Sequence, residues 1–273
     1  MKTSIKRRAY ELLSRPLEKL FQSPNMLNTN LMQRFNLLYK QKINSKGDLL
    51  DIYCPNMLTL WRAQTFETKE PDTLEWIRTF QENDVLYDIG ANVGLYSLFA
   101  AREKGCQVVA FEPESQNYAL LNKHIYINKL NHLIKALCIA LSDKTGMDDL
   151  YLSNFLVGSA LHNFGEEVDA DNKKFISKYK QGSISFTLDD LISYGKLPRP
   201  THIKIDVDGI EMKVIQGMLK TLQHASVKSV LLEINPNVVA NKEIFGMLES
   251  LGFKYALELR IPTTSNYIFI RKT

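Results

Sequence analysis

Between residues 85 and 251, short apolar strands and amphipathic helices alternate five times, and this alternation restricts the fold more than any other feature of the chain. Strands read at 85–89, 107–112, 134–141, 202–207 and 229–234, and helical spacing at 95–103, 115–129, from 187, 210–222 and 242–251. A helix between successive strands makes those strands parallel neighbours, and strands apolar on both sides need cover on both faces. The expected fold class is therefore α/β, Rossmann-like, with a mostly parallel sheet and helices on both faces. Further strands read at 147–153, 183–186, 255–259 and 267–270. The last two are joined by a loop too short for a helical crossover, which makes them antiparallel neighbours.

The flanks are less regular. Residues 4–21 carry Ile5, Ala9, Leu12, Leu13, Leu17 and Leu20 at helical spacing, broken by Pro16. A polar linker at 22–30, a second helical stretch at 31–39 and short strands or loops from 44 to 70 follow, with a short helix at 73–81. The reading divides the chain into an extension, 1–60, and a main domain, 61–273. Residues 154–182 are polar and weakly periodic, and suit either an acceptor-binding lid or a surface insertion. The net charge of +4 resides in the first 20 residues, so the remainder is balanced and unsuited to gripping nucleic-acid phosphates. The basic segment 1–21 suits docking on a partner or lying on an anionic membrane surface.

Three cysteines at wide spacing indicate neither a disulfide framework nor a zinc site. Cys106 and Cys138 fall in apolar strands, where a buried free thiol is expected. This usage favours a reducing, cytoplasmic setting, with the basic segment able to reach the inner face of a membrane. The five histidines form no metal-spaced set, and His202 at a strand start reads as structural. Asp206 and Asp208 are of a type that holds divalent metals, but nothing requires one, so the expectation is no metal.

The first strand of the alternation ends in Asp88-Ile89-Gly90-Ala91-Asn92-Val93-Gly94 and runs directly into a helix. In open α/β sheets ligands bind beyond the carboxyl ends of the strands. Gly90 permits close approach of a ligand, and the helix start offers free N–H groups. A dinucleotide fingerprint would place glycine at 92, where this chain has Asn92. Asp88 would repel a phosphate and attract an ammonium or sulfonium group. Glu112 closes the second strand and is placed to accept both hydroxyls of a ribose. The pair suits a phosphate-free, positively charged nucleoside such as S-adenosylmethionine.

Lys204, Asp206 and Asp208 alternate along a later strand, and Glu211 opens the next helix. This cluster can orient an acceptor and remove its proton, with Asp206 or Glu211 as base and Lys204 holding the carboxylates or stabilising an oxyanion. A purely structural Lys–Asp pair is the competing reading. Glu233, at the end of the following strand, is open to either role.

These motifs, with Phe111-Glu112-Pro113, Gly217, Leu232-Glu233-Ile234 and the upstream run Glu70 to Ile77, resemble the FkbM family of methyltransferases over about residues 66–272. Where that family usually has Glu, this chain has Asp208. The resemblance implies a seven-stranded sheet with a reversed last strand, and methyl transfer to a hydroxyl. It implies that Asp88, Gly90, Ala91, Asn92 and Gly94 hold the methionine part of S-adenosylmethionine and Glu112 its ribose. It further implies Ser142 near the adenine and Thr73 at the amino acid end. Members act on sugars, polyketides and lipid-linked glycans, so a glycan or other hydroxylated small molecule is the expected acceptor. A nicotinamide-dependent oxidoreductase and a non-catalytic nucleoside-binding module remain the alternatives.

Overall fold

The computed structural model describes residues 37–42, 49–167, 174–234, 239–256 and 264–272. The main sheet contains β3 (Val85–Ile89), β4 (Gln107–Phe111), β5 (Ile134–Leu137), β10 (His202–Ile205), β11 (Ser229–Glu233), β12 (Phe253–Tyr255) and β13 (Asn266–Arg271). Their order across the sheet is β12-β13-β11-β10-β3-β4-β5. β13 runs antiparallel to both its neighbours, and the β11-β10-β3-β4-β5 pairs are parallel. The α/β class, the seven strands and the reversed last strand are as expected. The strand order reverses between β3 and β10, the kind of switch point at which open α/β sheets bind ligands.

Alternate residues of each strand feed two cores. Tyr87, Ile89, Val109, Phe111, Ile203, Ile205, Val230 and Leu232 pack on one face with α7 (Glu211–Gln216), α8 (Leu219–Gln223) and α9 (Val239–Ser250). Leu86, Val108, Ala110, Leu231 and Ile268 pack on the other. That second face is covered by α3 (Pro71–Arg78), α4 (Leu95–Lys104) and α5 (Ser115–Ile127). The period-two alternation puts Asp88 and Lys204, which pair in register, on this second face.

The N-terminal reading needs correction. Residues 37–39, read as helix, belong to β1 (Leu37–Lys42), which pairs antiparallel with β2 (Leu49–Cys54). The stretch read as strands or loops holds two helices, α1 (Met57–Gln64) and α2 (Phe66–Lys69). Asn56 and Thr59 form a reciprocal capping box at the start of α1, a local signal with little apolar periodicity beside it. Among the described residues, Leu50, Ile52 and Cys54 are buried in the same core as α3 and α4. The readings at 4–36 lie outside the described residues.

Two other elements differ. The stretch 134–141 divides, because Ala140–Leu141 (β6) leaves the main sheet to pair with β9 (Tyr179–Phe186). With β7 (Gly146–Leu152) and β8 (Asn163–Phe164) these strands form a second sheet, ordered β6-β9-β7-β8. Thus part of the segment read as irregular is strand. The helix read at 210–222 breaks between α7 and α8 at Gly217, where an added Cβ would lie 2.0 Å from the Ser142 carbonyl oxygen. The close approach of these two chains interrupts the helix. A shorter helix, α6 (Leu188–Ser193), starts where expected, capped by Thr187, whose hydroxyl accepts the Asp190 N–H. Among the described residues no helix is long and apolar enough to cross a membrane.

Candidate active site

The Gly90–Gly94 loop hangs from the end of β4. The N–H groups of Gly90 and Ala91 both donate to the Phe111 carbonyl at 3.0 Å. Gly90 (φ +80°) lies so close to the end of β10 that an added Cβ would meet the Asp206 carbonyl oxygen at 1.9 Å. Gly94 (φ +84°) caps α4, and a Cβ there would lie 2.2 Å from Leu121 Cδ1 on α5. Asn92 also has a left-handed backbone, φ +50°, which asparagine adopts more readily than most residues. Its N–H donates to Glu112 Oε2 at 2.7 Å, and its side-chain amide donates to the Ser159 carbonyl at 2.7 Å.

Glu112 is buried, and its Oε1 accepts the Glu114 N–H at 2.9 Å. Burial pushes its carboxyl up to about 8 despite the Glu114 and Asn92 N–H groups. Asp88 is also buried; its Oδ2 accepts from the Ser97 hydroxyl at 2.6 Å. Its Oδ1 is buried with no hydrogen-bond partner among the described residues. Burial raises the Asp88 carboxyl above its ordinary range, with the Lys204 charge opposing.

Lys204 Nζ donates to Asp206 Oδ2 at 3.0 Å and lies 5.2 Å above the Tyr96 ring. The lysine side chain is 1% exposed and that of Asp206 25%. Burial opposes the charge on Lys204, yet the carboxylates of Asp206, Asp88, Glu70 and Glu233 hold its proton more firmly than usual. Glu211 is buried at the start of α7, and its Oε1 accepts the Gly209 N–H at 3.0 Å. Burial pushes its carboxyl up to about 8.

The side chains of Thr73 and Ser142 have partners within the protein. Thr73 is fully buried; its hydroxyl donates to Glu70 Oε2 at 3.4 Å and accepts from Asn266 Nδ2 at 3.0 Å. It therefore supports Glu70. Ser142 follows β6 in the second sheet, its hydroxyl donating to Asp143 at 3.0 Å. The residue that directly follows β5 is Cys138, whose thiol is raised by partial desolvation of its sulfur and by the charges of Glu112 and Glu114. Cys138 is exposed, contrary to the expected buried thiol, because the main-sheet strand ends at Leu137. His202 is structural, as read: its ring stacks on Phe80 at 3.8 Å and hydrogen-bonds Asp84 and Ser229.

The sequence reading missed a strap across the Gly90–Gly94 loop. The Ser159 carbonyl accepts from Asn92 and Asn117, the Gly158 N–H donates to Asn117 Oδ1, and the Leu161 N–H donates to Asp208 Oδ2 at 2.6 Å. Residues 158–161 thus link the Gly90–Gly94 loop to the segment after β10. No local periodicity marks such a segment. Glu70, buried and paired with Lys69, was quoted only within a longer run, with no signal of its own.

Residues 88–255, more than half of the chain, match the methyltransferase FkbM domain. The chain belongs to the FkbM methyltransferase family. Membership selects methyl transfer over nicotinamide-dependent oxidation. This FkbM-family enzyme is 25% identical over 179 residues to the hexuronic acid methyltransferase AglP of Haloferax volcanii, covering 66% of this chain and 67% of that protein. It is 27% identical over 196 residues to the 31-O-demethyl-FK506 methyltransferase FkbM of Streptomyces tacrolimicus, covering 64% of this chain and 74% of the relative. The crystal structure of a methyltransferase FkbM from Methylobacillus flagellatus has the same fold. Its TM-score is 0.51 at 12% identity, over 78% of this chain and 52% of that one, so this enzyme spans about half of it.

Proposed function

We propose that this FkbM-family enzyme transfers the methyl group of S-adenosylmethionine to a hydroxyl oxygen of a glycan or other hydroxylated small molecule. The observation that carries this reading is the pair of buried carboxylates, Asp88 and Glu112, closing adjacent strands on either side of the Gly90–Gly94 loop. The residues fit that cofactor. Asp88 Oδ1 is buried and without a hydrogen-bond partner, which suits a positive group, and two backbone N–H groups leave acceptor capacity on Glu112 for ribose hydroxyls. S-adenosylmethionine supplies a methyl carbon made electrophilic by its sulfonium.

The chain's own part is alignment and proton removal. Lys204 holds Asp206 at the switch point between β3 and β10. Glu211 is poised near neutrality, where a general base works best. The glycan acceptor is supported by the relative that acts on hexuronic acid, and the macrolide relative widens it to other hydroxylated molecules.

Calorimetric titration tests the cofactor, and a labelled-methyl screen over glycans and hydroxylated small molecules tests the reaction. Absence of S-adenosylmethionine binding by folded protein refutes the first claim. Binding without turnover on any acceptor favours a non-catalytic nucleoside-binding module. Above pH 8, where the Glu112 carboxyl is ionised, Glu112→Gln should weaken cofactor binding about 10- to 100-fold in the same titration, the scale of one charge-assisted hydrogen bond.

A pH profile identifies the base. With Glu211 as base, the carboxyl is protonated and inactive below about 8, so kcat rises through that value and levels above it. Measuring kcat at saturating cofactor removes the separate titration of Glu112. Glu211→Gln should abolish that limb; a limb that persists in the variant rules out Glu211 as its source.

A further inference from the structure

Asn117 lies in the first turn of α5 and is 1% exposed. Asparagine is a poor helix former, and a buried amide is costly unless it is hydrogen-bonded. The helix start does not need this side chain, because Glu114 already accepts the N–H groups of Gln116 and Asn117. The amide instead reaches a segment 41 residues away in the chain. Its Oδ1 accepts the Gly158 N–H at 2.7 Å, and its Nδ2 donates to the Ser159 carbonyl at 3.1 Å.

The same Ser159 carbonyl accepts the Asn92 side chain at 2.7 Å, and the Asn92 N–H donates to Glu112 Oε2 at 2.7 Å. One backbone oxygen thus joins the asparagine on α5 to the residue that grips Glu112. The Asn117 side chain also favours the charged form of Glu112. The strap is held from its other side by α1 and its cap: Arg62 Nε donates to the Gly158 carbonyl at 2.7 Å, and Asn56 Nδ2 to the Val157 carbonyl at 2.9 Å. Backbone strain gathers at the same place. Among the described residues four that are not glycine have positive φ, and three of them, Asn92, Leu161 and Asp208, lie in the strap or bond to it. Such conformations persist only where surrounding contacts hold them, and they cluster at ligand clamps.

We propose that Asn117 is a positioning residue for the cofactor's ribose, acting through the Ser159 carbonyl and Asn92 to hold Glu112 where it meets the ribose hydroxyls. Without the Asn117 amide, Ser159 keeps Asn92 as a donor but loses its tie to α5. Asn92, and Glu112 with it, is then no longer fixed against the helix. The inference rests on reading Glu112 as the ribose acceptor.

The test is a calorimetric titration of the full chain with S-adenosylhomocysteine, the product of the proposed reaction, and with its 2′-deoxy analogue. It is run above about pH 8, where Glu112 is ionised. The wild type should prefer the ribose ligand about 10- to 100-fold, the scale of one charge-assisted hydrogen bond. Asn117→Ala should lower that preference at least about threefold, the smallest coupling usual within one hydrogen-bond network, and change affinity for the deoxy ligand little. In a Glu112→Gln background Asn117→Ala should have no further effect on the preference. Asn122→Ala, exposed on the same helix, should leave both affinities unchanged. If Asn117→Ala fails to fold, Asn117→Ser, whose hydroxyl keeps a donor and an acceptor, carries the comparison. Equal weakening of both ligands overturns the proposal, since a merely structural role predicts it. A loss of preference that is undiminished in the Glu112→Gln background overturns it as well. Folded wild-type protein that binds both ligands equally overturns it and leaves the cofactor reading standing, whereas protein that binds neither refutes the cofactor reading and the positioning role together.

Discussion

Gly90→Ala should unfold about 6–12 °C below the wild type in a thermal melt, corresponding to about 3 kcal/mol. Two costs combine. Gly90 has φ +80°, and the added Cβ would meet the Asp206 carbonyl oxygen at 1.9 Å. A left-handed backbone and overpacking against a fixed group each cost about 1–3 kcal/mol. The clash is with main chain, so no rotamer change relieves it. Relief requires the loop and the end of β10 to separate, which also moves Asp88 and Asp206 apart. Folded Gly90→Ala protein should therefore bind S-adenosylmethionine more weakly. A melt within about 1 °C of the wild type, below the shift expected for even 1 kcal/mol, would show that the two chains are not held this closely.

Lys204→Met should destabilise the fold by about 3–5 kcal/mol near pH 7, the usual cost of removing one partner from a buried ion pair. Methionine matches the length of the lysine stem, so packing changes little and the lost charge dominates. Asp206, Asp88, Glu70 and Glu233 all interact with this ammonium and lose it together. The sign with pH follows. Without the lysine these carboxyls bind protons more readily, so the stability deficit should shrink as the medium is acidified. Denaturant unfolding at pH 7 and pH 5 measures both values. A deficit below about 1 kcal/mol at pH 7, the value of an exposed pair, would mean that water screens the cluster.

How much of this was legible in the sequence follows from the range of each signal. The alternation from 85 onward carries strand direction and the two-sided cover of the sheet, because helical and strand periods differ and the short final loop permits only an antiparallel return. The loop at 88–94 and Glu112 were legible for a similar reason: both lie at strand ends, where an open α/β sheet binds ligands. The strand reading at 134–141 misled because the stretch is apolar but for Lys135, and composition does not show where a strand leaves one sheet for another. Residues 37–39 misled because a helical count over a few apolar residues does not reveal the pairing partner β2.

By itself, the sequence determined the fold class, the reversed last strand, the glycine-bearing turn at 88–94 and the charged alternation at Lys204 and Asp206. Each depends on contacts between near neighbours or on a period repeated along the chain. Only the tertiary structure brought Glu70 and Glu233 to Asp206, laid residues 158–161 across the loop and set Gly90 against the Asp206 carbonyl. These contacts join segments far apart in the chain. Their geometry follows from how the strands order and how the helices pack on the sheet, which no local spacing encodes.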